Sequence, residues 1–181
     1  MQANSKADSG IMRATVWAVA LFCLALLAIY AETAWAMVSI WIRSETFAHG
    51  FLIVPITLWL VWTLRDRLAG VRPEPVWWVA LLVVPISCAW LLATLVSVAV
   101  VQQLTLVAML IVGVWAILGH RLARLLSFPL FFLFFAVPMG EGLIAPMMEF
   151  TATSTVWMIQ NSGVPVYREG LNFSLPTGSW S

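Results

Sequence analysis

Few side chains in this sequence can take part in acid–base or nucleophilic chemistry, because charged residues make up only 9% of its 181 residues. His49 follows Glu45 by four positions at the start of an apolar run, and Arg168 and Glu169 are adjacent in a polar stretch near the last residue. A histidine exchanges protons near neutral pH, so His49 could orient a substrate or support a nucleophile. These four residues are the candidate contacts to a substrate.

Each candidate also has a purely structural interpretation. The ring of His49 could lie at the polar boundary of a membrane and bond the backbone or a lipid headgroup, and the sequence favours this interpretation. Arg168 and Glu169 could pair with each other at a solvated turn. The four residues are therefore candidates rather than an assigned site.

The two cysteines, Cys23 and Cys88, lie inside apolar runs. Neither has metal-ligand spacing, and neither has a basic neighbour that would favour the thiolate form. They are interpreted as small buried hydrophobic residues. No metal or cofactor site is predicted.

Composition places the chain in lipid. Hydrophobic residues make up 62% of the sequence, whereas a soluble domain of this size carries about 25% charged residues. Water could not solvate such a surface, so the surrounding solvent must be largely hydrocarbon. The formal net charge of +1, without a basic cluster, predicts no nucleic-acid partner. The predicted fold class is an all-α polytopic membrane protein whose partner is membrane lipid.

Charged residues bracket five apolar runs in residues 1–140, which we interpret as a five-span membrane domain. A helix rises about 1.5 Å per residue, so one crossing of ~30 Å of hydrocarbon takes about 20 residues. The uncharged run from Pro75 to Gly119 is twice as long and must fold back, with a turn predicted at Ser97 to Gln103. The five predicted spans are residues 14–31, 47–64, 75–96, 101–118 and 125–140.

The distribution of Lys and Arg predicts the orientation, because positive residues concentrate in cytoplasmic connections. With the N-terminus in the cytoplasm, seven of the nine positive residues fall inside and two outside. The inner residues are Lys6, Arg13, Arg65, Arg67, Arg72, Arg121 and Arg124, and the outer residues are Arg43 and Arg168. An alternative is a cleavable signal peptide ending at Ala34-Trp35-Ala36, but its apolar run is long and further spans follow.

Residues 141–160 are predicted to form an interfacial amphipathic helix. Met147, Phe150 and Trp157 recur at helical spacing, whereas Glu149 would be costly in the middle of a bilayer. A helix lying at the membrane surface avoids that cost. If the segment crosses the bilayer instead, the C-terminal end faces the cytoplasm.

Residues 161–181 are predicted to form a short outward-facing hairpin. Apolar and polar residues alternate on both sides of Glu169-Gly170, which is typical of two short strands joined by a turn. Pro176 to Ser179 is a second turn signal. An ordinary extracellular loop is the alternative.

Three stretches of the sequence resemble the exosortase family, most closely the proteobacterial exosortase A type. They are SETFAHGFLIVPITLWLVW (residues 44–62), FPLFFLFFAVPMG (128–140) and GVPVYREGLNFSLPTGSWS (163–181). Exosortases are polytopic cysteine transpeptidases or peptidases of the bacterial inner membrane. They cut proteins that carry a C-terminal tag made of a Pro-Glu-Pro motif, an apolar span and a basic tail. The resemblance implies such an enzyme, associated with exopolysaccharide production, whose residue 181 faces the periplasm and whose Arg168 and Glu169 could meet the Pro-Glu-Pro motif.

The resemblance also implies catalytic residues that have no match in this sequence. In the family, a Glu-Ala-Cys-Ser-Gly-like motif follows the block that ends at Ser181, and an arginine and a histidine come later. We therefore expect residues 161–181 to lead into a missing catalytic part, and the chain alone to be inactive. The alternatives are a non-catalytic membrane component of exopolysaccharide export or a transporter subunit; the lack of ionisable residues in 75–119 counts against transport.

Overall fold

The computed structural model describes the backbone of residues 2–161, 167–169, 172–175 and 178–180, and the side chains of residues 10–140, 142 and 145–161. The chain divides into two units, Met1–Pro138 and Met139–Ser181. The first unit contains α1 (Gln2–Ile29), α2 (Ala31–Arg43), α3 (Gly50–Thr63), α4 (Arg65–Ala69), α5 (Trp77–Ala80), α6 (Val83–Leu95), α7 (Ala99–Leu118), α8 (His120–Leu125) and α9 (Ser127–Phe132). Two 3₁₀ helices, Glu45–Phe47 and Leu133–Ala136, complete it. The second unit contains α10 (Glu141–Asn161), β1 (Tyr167–Glu169), β2 (Asn172–Leu175) and β3 (Gly178–Trp180).

Four stretches among the described residues are long and apolar enough to cross a membrane. They are Gly10–Ile29, Glu45–Thr63, Trp77–Leu95 and Ala99–Leu118. Large apolar side chains point away from the protein along them, as Trp17 and Leu21 do with 75% and 70% of their surface exposed. Hydrocarbon offers no partner to backbone N–H and C=O groups, and a helix pairs these groups within itself. The prediction of an all-α polytopic membrane protein is confirmed.

α7 is the central helix of the first unit. In its most apolar stretch 33% of the residues are buried, against 6% in Gly10–Ile29, and it packs against α1, α2, α5 and α6. Gly113 of α7 faces the ring of Phe22, whose atoms occupy the space that a Cβ would need. A glycine at this point lets the two helices approach closely.

The turn between α6 and α7 is shorter than predicted. It spans Val96 to Val98, and it is closed by a bond from the Val98 N–H to the Ala93 carbonyl (2.9 Å). Ser97 adopts a positive φ of 56°, the left-handed conformation that commonly ends a helix. The prediction that Gln102 and Gln103 belong to the turn was wrong. The turn ends at Val98, and both residues lie within α7.

The fifth predicted span, residues 125–140, is not one regular helix. Its apolar helical part is Ser127–Ala136, shorter than the other four. The helix ends there because Val137 precedes Pro138 and takes an extended conformation, as residues before proline do. The segment nevertheless runs antiparallel to α7, since Ser127 and Trp115 line one cavity and Phe134 and Leu104 line another.

The second unit consists of α10 followed by a three-stranded antiparallel sheet in the order β1-β2-β3. α10 confirms a helix in the predicted place, and Met147, Phe150 and Trp157 are largely exposed on it. It is not one of the four helices apolar enough to span a membrane among the described residues. Its position at the membrane surface stays a prediction.

The predicted hairpin is formed by β1 and β2, with Arg168 opposite Phe173 and Glu169 opposite Asn172. Gly170, at the predicted turn, lies outside the described residues. β3 is a strand that the sequence did not predict, because Pro176 to Ser179 indicated a turn with only two residues after it.

Candidate functional site

His49 and Glu45 lie in the connection between α2 and α3. Glu45 begins the first 3₁₀ helix, and His49 immediately precedes Gly50, the first residue of α3. Both side chains are exposed. The structure therefore brings these two predicted residues into one short segment.

The ring of His49 is oriented by the backbone. Its Nδ1 lies 2.9 Å from the carbonyl oxygen of Thr46, and a carbonyl can only accept, so Nδ1 donates the hydrogen. In the neutral ring this leaves Nε2 with its lone pair at the exposed side. The bond matches the structural interpretation of His49, yet it uses only one nitrogen, and the other stays available to a ligand.

A buried tryptophan fixes the connection that carries these residues. Trp41, near the end of α2, donates from Nε1 to the carbonyl of Ala136 over 2.8 Å. Its indole fills the space where a Cβ on Gly50 would stand, and it meets the Phe51 ring edge-on at 5.4 Å. The start of α3 is thus held against α2 and against the segment after α9, which limits where His49 can point.

Arg43 ends α2 at the same end of the first unit. Its guanidinium bonds Ser39 one helical turn earlier, with Nε 3.2 Å from the carbonyl and a terminal nitrogen 3.5 Å from the hydroxyl. Among the described residues, no ion pair joins Arg43 to Glu45. This end therefore presents an arginine, a carboxylate and an imidazole, each bonded locally or to solvent.

Arg168 and Glu169 lie on β1 in the second unit, and their side chains are outside the described residues. Their backbone pairing places them next to each other on the hairpin. That they join His49 and Glu45 in one site stays a prediction.

Neither cysteine lies in a setting suited to nucleophilic attack. Cys23 is half-buried and packs against the core of the first unit, and Cys88 is exposed along a membrane-crossing helix. Neither thiol bonds an imidazole or a cation among the described side chains. Within those same residues, no group of three or more His, Cys, Asp or Glu could hold a metal ion.

The opposite end of the first unit is built by bonds between distant segments. The N–H groups of Glu74 and Val76 donate to the carbonyls of Leu118 and Ala116 at the end of α7, over 3.3 and 2.8 Å. These carbonyls have no partner within the helix, so the extended segment caps it. Arg121 reaches to 3.8 Å from the carboxylate of Glu74.

Three of the seven positive residues predicted to lie on the inner side, Arg13, Arg72 and Arg121, lie at this end. Arg13, near the start of α1, and Arg72 line one cavity, and Arg72 is close in sequence to Glu74, which pairs with Arg121. Arg43 lies at the far end of α2. Among the described side chains, Arg13, Arg72 and Arg121 are thus separated from Arg43. The assignment of the basic end to the cytoplasm stays a prediction.

Gln103 is a polar residue whose importance the sequence did not reveal. Only 1% of its surface is exposed, and neither Nε2 nor Oε1 has a hydrogen-bond partner among the described residues. Burying an amide without a partner costs about 1–3 kcal/mol. The sequence signal for it is an amide in an apolar run, which is equally typical of the turn predicted there.

Comparison with known proteins places the chain in a family. The family model of transmembrane exosortases (Exosortase_EpsH) matches residues 41–181, well over half of the chain. The chain belongs to the transmembrane exosortase family. No curated protein and no solved structure matches it.

The matched region contains most of the features described above. In this exosortase it begins at Trp41, which pins the connection, and includes Glu45, His49 and the β1–β2 hairpin. Cys23 falls outside it, as does the whole of α1. Family membership supports a membrane transpeptidase role and agrees with the membrane-spanning helices.

Proposed function

We propose that this chain is the membrane-embedded part of a cysteine peptidase or transpeptidase that cuts proteins carrying a C-terminal Pro-Glu-Pro motif, an apolar span and a basic tail. The family match over residues 41–181 carries the proposal. The enzyme lies in the bacterial inner membrane with its N-terminus in the cytoplasm and residue 181 in the periplasm. The clustering of arginines at one end supports the orientation of the N-terminus. Four long helices return the chain to its starting side, so residue 181 in the periplasm also requires the α8–α9 segment to cross the membrane. The bond from Trp41 to Ala136, at the end that carries His49, supports that fifth crossing.

The candidate site lies at the end of the first unit that carries Glu45 and His49. Cleavage of an amide needs a group that accepts a proton from the nucleophile and returns one to the leaving amine. His49 has the required form, since its Nδ1 is held by the Thr46 carbonyl and its Nε2 is open. We assign His49 to orienting the substrate or supporting the nucleophile. Glu45, which lies in the same connection between α2 and α3, is assigned to contact with the substrate.

Arg168 and Glu169 are proposed to meet the Pro-Glu-Pro motif. A guanidinium binds a carboxylate through two parallel hydrogen bonds, which suits the glutamate of that motif. Both lie on β1, within the region that the family model matches. The nucleophile is assigned to neither Cys23 nor Cys88, because one packs in the core and the other lies along a membrane-crossing helix.

The test is cleavage of a tagged reporter by the complete gene product in membranes. In a parent with Cys23→Ser and Cys88→Ser, we expect cleavage to be unchanged. Adding His49→Ala should lower the cleavage rate about tenfold or more, while protein abundance stays constant because the side chain is exposed. Arg67→Ala, an exposed change at the other end, is the matched control.

Two results would contradict the proposal. Cleavage that persists unchanged in the His49→Ala variant removes His49 from the site. Loss of cleavage in the cysteine-substituted parent, at normal abundance, makes one of the two thiols the nucleophile. If the unmodified protein cuts no tagged reporter, a non-catalytic component of exopolysaccharide export is the better interpretation.

A further inference from the structure

A long apolar groove runs beside α7 in the first unit. Its wider part is a cavity of about 590 Å³ between α7 and the α8–α9 segment, with Trp115 and Leu130 among its apolar walls. A second hollow shares Ala108 and Phe134 with the first and extends it to Leu104. The two hollows follow one another along one face of α7, with Ala108 and Phe134 between them, and together we call them the groove.

The length of the groove matches one leaflet of a bilayer. From Leu104 to Trp115 is eleven residues of α7, or about 16 Å of helix. Half of the hydrocarbon core is about 15 Å. An extended acyl chain of a single leaflet therefore has the reach to lie along the whole groove.

The groove ends in polar groups at the basic end of the unit. His120, Arg124 and Ser127 line this mouth. Arg124 is exposed, and its guanidinium bonds no other described side chain, whereas the adjacent Arg121 approaches Glu74 at 3.8 Å. The mouth thus holds a positive charge that no carboxylate neutralises in the described part of the chain.

His120 at the mouth is set up as a hydrogen-bond donor. Trp115 donates from Nε1 to Nδ1 of His120 over 2.9 Å, so Nδ1 accepts and the proton of the neutral ring is on Nε2. Trp78 lies against the same ring at 5.6 Å. Indoles at this level are typical of the membrane–water boundary, where a lipid phosphate is found.

We propose that this groove binds an anionic phospholipid such as phosphatidylglycerol, with one acyl chain along α7 and the phosphate at Arg124 and His120. Charge decides between the possible occupants. A phosphate complements the free guanidinium and the Nε2–H group. A transmembrane peptide that ends in a basic tail is repelled by the same mouth, so the tagged substrate is the disfavoured occupant.

Native mass spectrometry of the complete gene product purified in detergent, titrated with phosphatidylglycerol or phosphatidylcholine, tests the proposal. We expect tighter binding of phosphatidylglycerol. Arg124→Gln should weaken that binding about fivefold, since a basic residue near the lipid surface contributes about 1 kcal/mol. Arg121→Gln, the matched control, should change it less than about twofold, because this arginine already faces Glu74 and does not line the groove.

A second variant tests the acyl-chain part separately. Ala108→Phe places a ring where the two hollows meet and leaves Arg124 unchanged. It should abolish the tighter binding of phosphatidylglycerol over phosphatidylcholine. Equal affinity of the unmodified protein for both lipids overturns the proposal without any variant. Equal effects of Arg124→Gln and Arg121→Gln overturn it too, as does displacement of the bound lipid by a tagged transmembrane peptide, which makes the groove a substrate site.

Discussion

The two ends of the first unit are built differently. At the basic end, bonds join segments far apart in sequence, including the Val76 N–H to the Ala116 carbonyl and Arg121 to Glu74. At the other end, Arg43 and His49 bond only residues three or four positions away. The backbone is tied at both ends, at the His49 end by the bond from Trp41 to Ala136. Among the described side chains, an ion pair between distant segments is found at the basic end and not at the His49 end.

The two histidines show the same contrast. His120 is half-buried, accepts a hydrogen bond from Trp115 and lies against Trp78. His49 is exposed, bonds the carbonyl of Thr46 and lies 6.4 Å from the Phe47 ring, both within its own short segment. His120 is therefore held by side chains of α5 and α7, whereas His49 is held within its own short segment.

The largest effect is expected from Gly119→Ala at the basic end. Gly119 has a φ of 84°, a conformation that costs other residues about 1–3 kcal/mol, and a Cβ there would collide with the Glu74 carbonyl. We expect the free energy of unfolding to fall by about 2–5 kcal/mol, measured by thermal unfolding in detergent. Gly70→Ala is the control, because its Cβ would lie 3.8 Å from the nearest atom. Equal stability of the two variants would show that the basic end does not depend on the close approach of Gly119 to Glu74.

An intermediate effect is expected from Trp41→Phe at the opposite end. The change keeps a ring beside Gly50 but removes the donor to the Ala136 carbonyl. A buried acceptor without a partner costs about 1–3 kcal/mol, which thermal unfolding should detect. Trp59→Phe is the control, because 58% of the surface of Trp59 is exposed. This variant should leave the free energy of unfolding almost unchanged. A harmless Trp41→Phe would mean that His49 is not held in place through this tryptophan.

The smallest effect, and one of opposite sign, is expected from Gln103→Leu. The amide is buried without a partner, so an apolar side chain of similar size should raise the free energy of unfolding by about 1 kcal/mol. Gln102→Leu is the paired control, since the Gln102 amide reaches the Ala93 carbonyl at 3.4 Å. A lower melting temperature for Gln103→Leu would reveal that its amide has a partner in the membrane.

Local sequence signals accounted for the helices and part of the site. The four long spans follow from runs without charge, and the segregation of Arg13, Arg72 and Arg121 from Arg43 follows from their positions between those runs. The sequence misplaced Gln103 because a left-handed Ser97 ends the turn earlier, and residue types alone do not reveal which residue takes that conformation. The end of the fifth apolar helix at Ala136 follows from Pro138, because a residue before proline, here Val137, favours an extended conformation.

By itself the sequence determined the solvent, the positions of the four long spans and the grouping of Arg13, Arg72 and Arg121 away from Arg43. Burial of apolar residues in lipid and the placement of positive residues depend on composition and order along the chain. Only the tertiary structure decided that Trp41 reaches Ala136, that the segment at Glu74 caps α7, and that His120 and Arg124 share a groove with Phe134. These contacts join residues distant along the chain, and they depend on how helices pack, which no local pattern encodes.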